Sequence, residues 1–142
     1  MGAMLFIDLD EFKSINDEFG HAGGDLLLQE MSRRLRRSLR RRDIAGRLGG
    51  DEFVVILPDL AAGAEESRRL ARSLAERMQE LMAEPYDLEG ATLRVTASIG
   101  VALFPSVDNT PEEIITAADQ AMYQAKAAGR NTVKLADIRT AA

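Results

Sequence analysis

Two carboxylates follow two glycines in Gly49-Gly50-Asp51-Glu52-Phe53. The flanking runs, residues 44–48 and 53–57, have the apolar character of short strands, so the spacing predicts a β-hairpin with its tip at the glycines. Glycine at a tip permits positive φ and lets backbone approach a ligand without a Cβ clash. Acids there suit a metal-phosphate site, but Gly-Gly-Asp also makes ordinary solvated turns, and the tip alone leaves both readings open. A second acidic segment ends the apolar run Leu5-Phe6-Ile7-Asp8-Leu9-Asp10. If Asp8 leaves one strand beside the Asp51 tip, two carboxylates face one pocket. Like charges held close are costly unless they are protonated or bridged by a cation, and a divalent ion resolves the repulsion.

The bulk properties bound the chemistry. A chain of 142 residues builds one domain with a core, and its 5% aromatic content leaves that core to Leu, Ile, Val, Ala and Met. The absence of cysteine excludes a disulfide framework and any thiolate metal site. One His against 23 Asp and Glu favours a hard, oxygen-liganded ion such as magnesium. A net charge of -5 argues against general nucleic-acid binding. No apolar stretch approaches bilayer length, and the N-terminus lacks the pattern of a secretion signal. The expectation is a soluble cytoplasmic domain without direct membrane contact, which leaves room for a membrane-associated parent protein.

The elements that must position these acids follow in order. Residues 4–9 read as a strand covered on both faces. Phe12, Ile15 and Phe19 predict a short helix ended by Gly20, and a second helix over about 24–41 carries Leu27 or Leu28, Met31, Leu35 and Leu39 on one face. Its far side, with Arg33, Arg34, Arg36, Arg37, Arg40, Arg41 and Arg42, reads as a solvated basic face or an anion-binding patch. After the hairpin, a third helix over about 64–84 presents Leu70, Leu74, Met78 and Leu81 or Met82, and Pro85 stops it. Residues 86–88 and 93–104 are expected as strands around a Glu89-Gly90 turn, with Arg94, Thr96 and Ser98 making one face more polar and Pro105 ending the run. Thr110-Pro111-Glu112-Glu113 is a helix start with Thr110 as cap. That helix carries Ile114, Ile115, Ala118, Met122 and Ala125. Gly129 ends it, a last strand spans 132–135, and 136–142 read as a tail. Helices alternating with strands and hairpins predict an α/β sandwich with a mixed or largely antiparallel sheet.

Four segments together carry a family resemblance: Asp-Leu-Asp-x-Phe-Lys-x-Ile-Asn-Asp at 8–17, Gly-His-x-x-Gly-Asp at 20–25, Arg-x-Gly-Gly-Asp-Glu-Phe at 47–53, and Ala-Asp-x-Ala-Met-Tyr-x-Ala-Lys-x-x-Gly-Arg-Asn at 118–131. The chain resembles the GGDEF family, the diguanylate cyclase catalytic domains, nearly end to end. The resemblance implies a central five-stranded, mainly antiparallel sheet flanked by helices, similar to class III nucleotidyl cyclases and polymerase palm domains. It implies two GTP condensed to cyclic di-GMP and two pyrophosphates, by attack of a ribose 3′-hydroxyl on an α-phosphorus with two magnesium or manganese ions per active site.

Residue by residue, the resemblance makes Asp8 the shared metal ligand, the Leu9 carbonyl a backbone ligand, Asp51 a ligand and candidate base, and Glu52 the adjacent essential acid. Asn16 and Asp25 resemble guanine readers, and His21 a further contact near base and ribose. The backbone amides of Glu11 and Phe12 suit the phosphate tail. Lys13, Lys126 and Arg130 add positive charge, the last two four apart and expected on one helix face. Phe12 and Phe53 read as packing residues. Arg40-x-x-Asp43 lies at the spacing of the family's inhibitory product site, with Arg72 as a secondary contact from a neighbouring domain. The Asp-x-Leu-Thr segment and first helix that usually precede the first strand have no counterpart here, so a truncated single domain is expected. Each domain holds one GTP, so the resemblance also requires a homodimer. The alternative is a weak or non-enzymatic module that binds cyclic di-GMP or GTP and controls an adjacent domain such as a phosphodiesterase. A cyclase for another purine is a third option.

Overall fold

A computed structural model describes residues 1–88, 90–104 and 110–136. The first strand, β1 (Gly2–Leu9), pairs antiparallel with both β3 (Glu52–Leu57) and β6 (Ala97–Phe104). The hairpin partner β2 (Ile44–Gly49) lies outside β3, and β7 (Val133–Leu135) joins β6 in parallel. The five-stranded order is therefore β2-β3-β1-β6-β7, with one parallel pairing. This is the mainly antiparallel sheet that the sequence predicted.

The two-residue period of β1 divides the core. Ala3, Leu5, Ile7 and Leu9 join Phe53, Val55 and Leu57 of β3 against the helices α1 (Phe12–Ser38) and α2 (Ala64–Met82). Phe6 faces the other way, with Ala102, onto Ala118 and Met122 of α3 (Pro111–Ala127). Asp8 stands on this second face, which is why it meets a residue of α3. Gly100 lets α3 come close: a Cβ there would collide with the Ala118 carbonyl oxygen and the Met122 amide nitrogen. Thr110 caps α3 as expected, its Oγ1 accepting from the Glu113 amide at 3.2 Å.

Several boundaries differ from the sequence expectations. The two predicted helices after β1 follow each other directly, with a break at Gly20 (φ 74, ψ 175), and the second ends at Ser38 rather than near 41. Arg34 is no part of a solvated face. It is 8% exposed and donates to the carbonyls of Leu81 (3.3 Å), Glu84 (2.6 Å) and Pro85 (2.6 Å). Its guanidinium stacks 3.6 Å from the Tyr86 ring centroid, so it closes the open C-terminal end of α2. On α2 the buried stripe is Ser67, Ala71, Ala75, Met78 and Met82, rotated from the predicted Leu70 and Leu81, because small residues fit closest to the sheet. Ile115 of α3 is exposed, as is Ile44 on the edge strand β2.

The expected long strand over 93–104 is divided. Ala91–Leu93 forms β5 and pairs with β4 (Tyr86–Leu88) in a separate two-stranded ribbon, while β6 starts only at Ala97. Glu89, Pro105 and the tail after 136 lie outside the described residues.

Candidate active site

The register places Asp8 opposite Glu52 on β3 and opposite Ser98 on β6. The exit of β1 and the tip of the β2–β3 hairpin therefore meet at one end of the sheet, and the Leu9 amide donates to the Asp51 carbonyl at 3.2 Å. The tip has the predicted glycine torsions, with φ 147 at Gly49 and 50 at Gly50. Arg47 Nε donates to the Gly50 carbonyl at 2.9 Å and fastens the turn. Burial, the adjoining Asp51 carboxyl within hydrogen-bonding reach and its charge push the Asp8 pKa up to about 7; Lys126 pulls against them. One Asp8 oxygen, Oδ1, is buried without a hydrogen-bond partner among the described residues.

A second buried acid lies two residues on. Asp10 is 6% exposed and takes hydrogen bonds from Thr96 Oγ1 (2.6 Å), Ser98 Oγ (2.7 Å), the Asn131 amide (3.0 Å) and Lys126 Nζ (3.3 Å). Burial alone would raise its pKa; these bonds and the Lys126 charge outweigh it and hold Asp10 below the ordinary carboxylate value. Sequence reasoning assigned Asp10 no role. The signal was present in the alternating Thr96 and Ser98, whose hydroxyls need a buried acceptor on the same face. Lys126 also donates to the Leu9 carbonyl at 3.3 Å and lies 3.7 Å from Asp8 Oδ2. Its ammonium thus sits among the oxygens for which a metal role was expected.

Asn16 and Asp25 lie on either side of the Gly20 break. Asn16 Oδ1 occupies the space where a Cβ on Gly24 would stand, so the bare backbone of Gly24 brings Asn16 beside Asp25. Asp25 lines an open cleft of about 310 Å³ with Leu28, Gln29 and Ser32 of the same helix and Arg47 of β2. Gln29, Ser32 and Arg47 were not singled out as binding residues from the sequence. His21 is exposed immediately after the break.

Glu11, ahead of α1, has a left-handed backbone (φ 58, ψ 32) and provides no side-chain cap. The first amides of α1 lack the intrahelical partners that later turns provide. Lys13 is exposed on that first turn. Arg130 Nη1 lies 3.5 Å from Glu11 Oε1. Arg130 is not on the α3 face with Lys126, as expected from spacing, because α3 ends at Ala127 and Arg130 sits in a left-handed turn (φ 66).

Arg40 and Asp43 form a closed pair. The Arg40 amide donates to Asp43 Oδ2 (2.7 Å), while Nε and Nη2 reach Oδ1 at 3.0 and 2.8 Å. Nη2 also donates to the Pro58 carbonyl at 2.8 Å, and the Asp43 hydrogen bond raises the Arg40 pKa above its usual value. Arg72 is exposed on α2 and makes no hydrogen bond or ion pair with either residue among the described residues.

The oxygens at the sheet end suit a hard cation. Asp8 presents an orphaned buried oxygen, Asp51 adjoins it, and the Leu9 carbonyl already accepts from an ammonium. No three acidic or histidine side chains converge as a complete ligand set among the described residues. Carboxylate and carbonyl oxygens are the donors magnesium takes, and it retains water and phosphate oxygens beside them.

A five-stranded sheet flanked by helices, with paired acids at one end, defines a palm-like α/β domain. A family model described as "Diguanylate cyclase, GGDEF domain" matches residues 1–132. The chain is 45% identical over 129 residues to the bifunctional diguanylate cyclase/cyclic di-GMP phosphodiesterase MucR of Pseudomonas aeruginosa, covering 91% of this chain and 18% of that protein. It is 43% identical over 137 residues to the diguanylate cyclase TpbB of the same organism, covering 96% of this chain and 30% of that protein. The crystal structure of the TpbB GGDEF domain superposes with a TM-score of 0.87 at 42% identity, covering 97% of this chain and 83% of that one. The chain belongs to the GGDEF family. It spans less than a third of these two full-length relatives. The family depends on magnesium or manganese, and binding of GTP and cyclic di-GMP with dimer-dependent catalysis is typical of its cyclases. No helix among the described residues is long and apolar enough to cross a membrane.

Proposed function

We propose that this domain condenses two GTP into cyclic di-GMP and two pyrophosphates, with one GTP on each of two copies facing each other head to tail. The observation that carries the proposal is the Asp8–Asp51 pair held beside Lys126, on the same domain as the Asp25 cleft. Two magnesium or manganese ions would be held by Asp8, Asp51 and the Leu9 carbonyl. When bound, they supply charge neutralisation for the attacking and leaving oxygens.

The chain's own residues do the rest. Asp25 accepts from the guanine N1 and N2 hydrogens and Asn16 adds a second polar contact. Adenine cannot present the same pattern and leaves those groups unpaired. His21 borders the ribose. The Glu11 and Phe12 amides, Lys13, Lys126 and Arg130 hold the triphosphate. Asp51, or Glu52 beside it, accepts the proton of the 3′-hydroxyl. Chromatography of a GTP-magnesium reaction tests this, using the chain fused to a strong dimeriser. Cyclic di-GMP well above an Asp51→Ala control is expected, and equal product from both would sink the assignment.

A second reading draws on the Arg40–Asp43 pair: a regulatory module that binds cyclic di-GMP. Both partners now satisfy each other, so a bound product must open the pair before the guanidinium fork can take a phosphate. Arg72 would come from a second copy. Calorimetry tests the site: product binding lost in Arg40→Ala and kept in Asp51→Ala establishes it without deciding catalysis, which the GTP-magnesium reaction decides.

A further inference from the structure

Asp10 gathers four parts of the chain at one carboxylate. Oδ1 takes Ser98 at 2.7 Å and Lys126 at 3.3 Å; Oδ2 takes Thr96 at 2.6 Å and the Asn131 amide at 3.0 Å. The Asp10 amide returns a bond to the Thr96 carbonyl at 2.9 Å. Start of β6, end of α3 and the turn into β7 are thereby tied to the exit of β1. That turn is unusual in its torsions: Gly129, Arg130 and Asn131 all have positive φ, at 115, 66 and 47. Side chains rarely adopt this conformation; the bond from the Asn131 amide to Asp10 helps to hold it, with Gln79 Nε2 donating to the Asn131 carbonyl at 2.7 Å and the Arg130 amide to the Ala125 carbonyl at 3.1 Å. Arg130 projects from the same turn.

Lys126 is aimed by the same carboxylate. Its ammonium has three protons. Asp10 and the Leu9 carbonyl each accept at 3.3 Å, which leaves the third directed toward Asp8 or an incoming anion. A purely structural acceptor for Thr96 and Ser98 would need no charge. An ionised carboxylate at this point pins a cation as well as two hydroxyls.

We propose that Asp10 is a positioning residue for triphosphate binding: it sets Lys126 directly and Arg130 through the Asn131 turn. This rests on the cyclase reading above and extends it to a residue that touches neither metal nor substrate.

The test compares binding of guanosine with that of 3′-deoxy-GTP plus magnesium, by calorimetry. The deoxy nucleotide lacks the attacking hydroxyl and cannot turn over. Asp10→Asn is expected to lower the triphosphate-to-guanosine affinity ratio at least tenfold while guanosine affinity stays within twofold. In a Lys126→Met, Arg130→Met background the same substitution should change the ratio less than twofold, because its effect passes through those residues. Should Asp10→Asn not fold, Thr96→Val keeps the carboxylate and removes one of its donors; a fall of about twofold or threefold in the ratio is then expected. An unchanged ratio in folded Asp10→Asn overturns the proposal. So does an undiminished fall in the double background, or an unchanged ratio in Thr96→Val where that variant carries the test. If the unmodified chain binds neither nucleoside nor nucleotide, the GTP reading itself fails; binding of both with no effect at Asp10 refutes only the positioning role.

Discussion

Replacing Asp51 by Asn should stabilise the metal-free protein while removing its response to magnesium. The Asp8 pKa rises from 3.8 to about 7, so ionising Asp8 in the folded chain costs about 4 kcal/mol. Burial is the largest cause and persists in the variant; the adjoining Asp51 accounts for the next contributions. Asp51→Asn should therefore recover about 1.5 kcal/mol at pH 8, a rise of about 5 °C in Tm for a domain of this size. The sign follows from linkage. Unfolded Asp8 titrates near 3.8 and folded Asp8 near 7, so between those values the native state holds more protons and stability falls as pH rises. At pH 5 Asp8 is neutral in the folded chain, and the advantage of the variant should largely vanish. Thermal unfolding in EDTA at pH 5 and pH 8 measures both effects; repeating it with magnesium should raise the Tm of the unmodified protein and leave the variant nearly unmoved. Equal Tm values at pH 8 in EDTA, or a difference independent of pH, would refute the reasoning.

Other substitutions probe separate parts of the structure. Arg34→Met strands three carbonyls at the end of α2 and should cost about 3 kcal/mol in chemical denaturation; Arg34→Lys should restore little, since an ammonium cannot reproduce the planar fork. Gly100→Ala forces α3 off the sheet and should lower stability by about 3 kcal/mol, and GTP affinity should fall with it because Lys126 rides on α3. Arg40→Ala should abolish inhibition by cyclic di-GMP, read as initial rate against added product, with KM for GTP within twofold. Asp25→Asn should reduce the preference for GTP over ATP at least tenfold in a competition assay.

The sheet was legible because its strands are short apolar runs with clear stops, as in Asp8 after the first run and the glycines at 49 and 50. Thr110 and Pro111 announced α3 for the same local reason. Arg34 was not legible: the arginines around it, Arg33, Arg36 and Arg37, are exposed, and only the arrival of the end of α2 and Tyr86, some fifty residues on, makes that one position buried. The strand over 93–104 read as continuous because Thr96 and Ser98 fit strand alternation, yet the backbone leaves the ribbon before Ala97 so that both hydroxyls reach Asp10. The Lys126–Arg130 spacing misled because a helix end between two residues cancels any periodicity argument. The acids at 8 and 51 were adjacent on paper only through the guess that their strands were neighbours, which the antiparallel register bears out.

The break at Gly20 has a consequence for how selectivity can change. Asn16 belongs to the segment before it and Asp25 to the segment after it, so one pair of torsions, φ 74 and ψ 175, sets how the two groups are phased. A Cβ at Gly20 would meet nothing within 4 Å, so torsion and not room confines the position to glycine. The link thus works like the index mark of a dial. On the proposed reading, turning it by a few degrees would re-aim Asn16 against Asp25 without substituting either side chain. If those two groups read the base as proposed, new nucleobase preferences would be accessible by remodelling the joint, a route that a search confined to Asn16 and Asp25 would overlook.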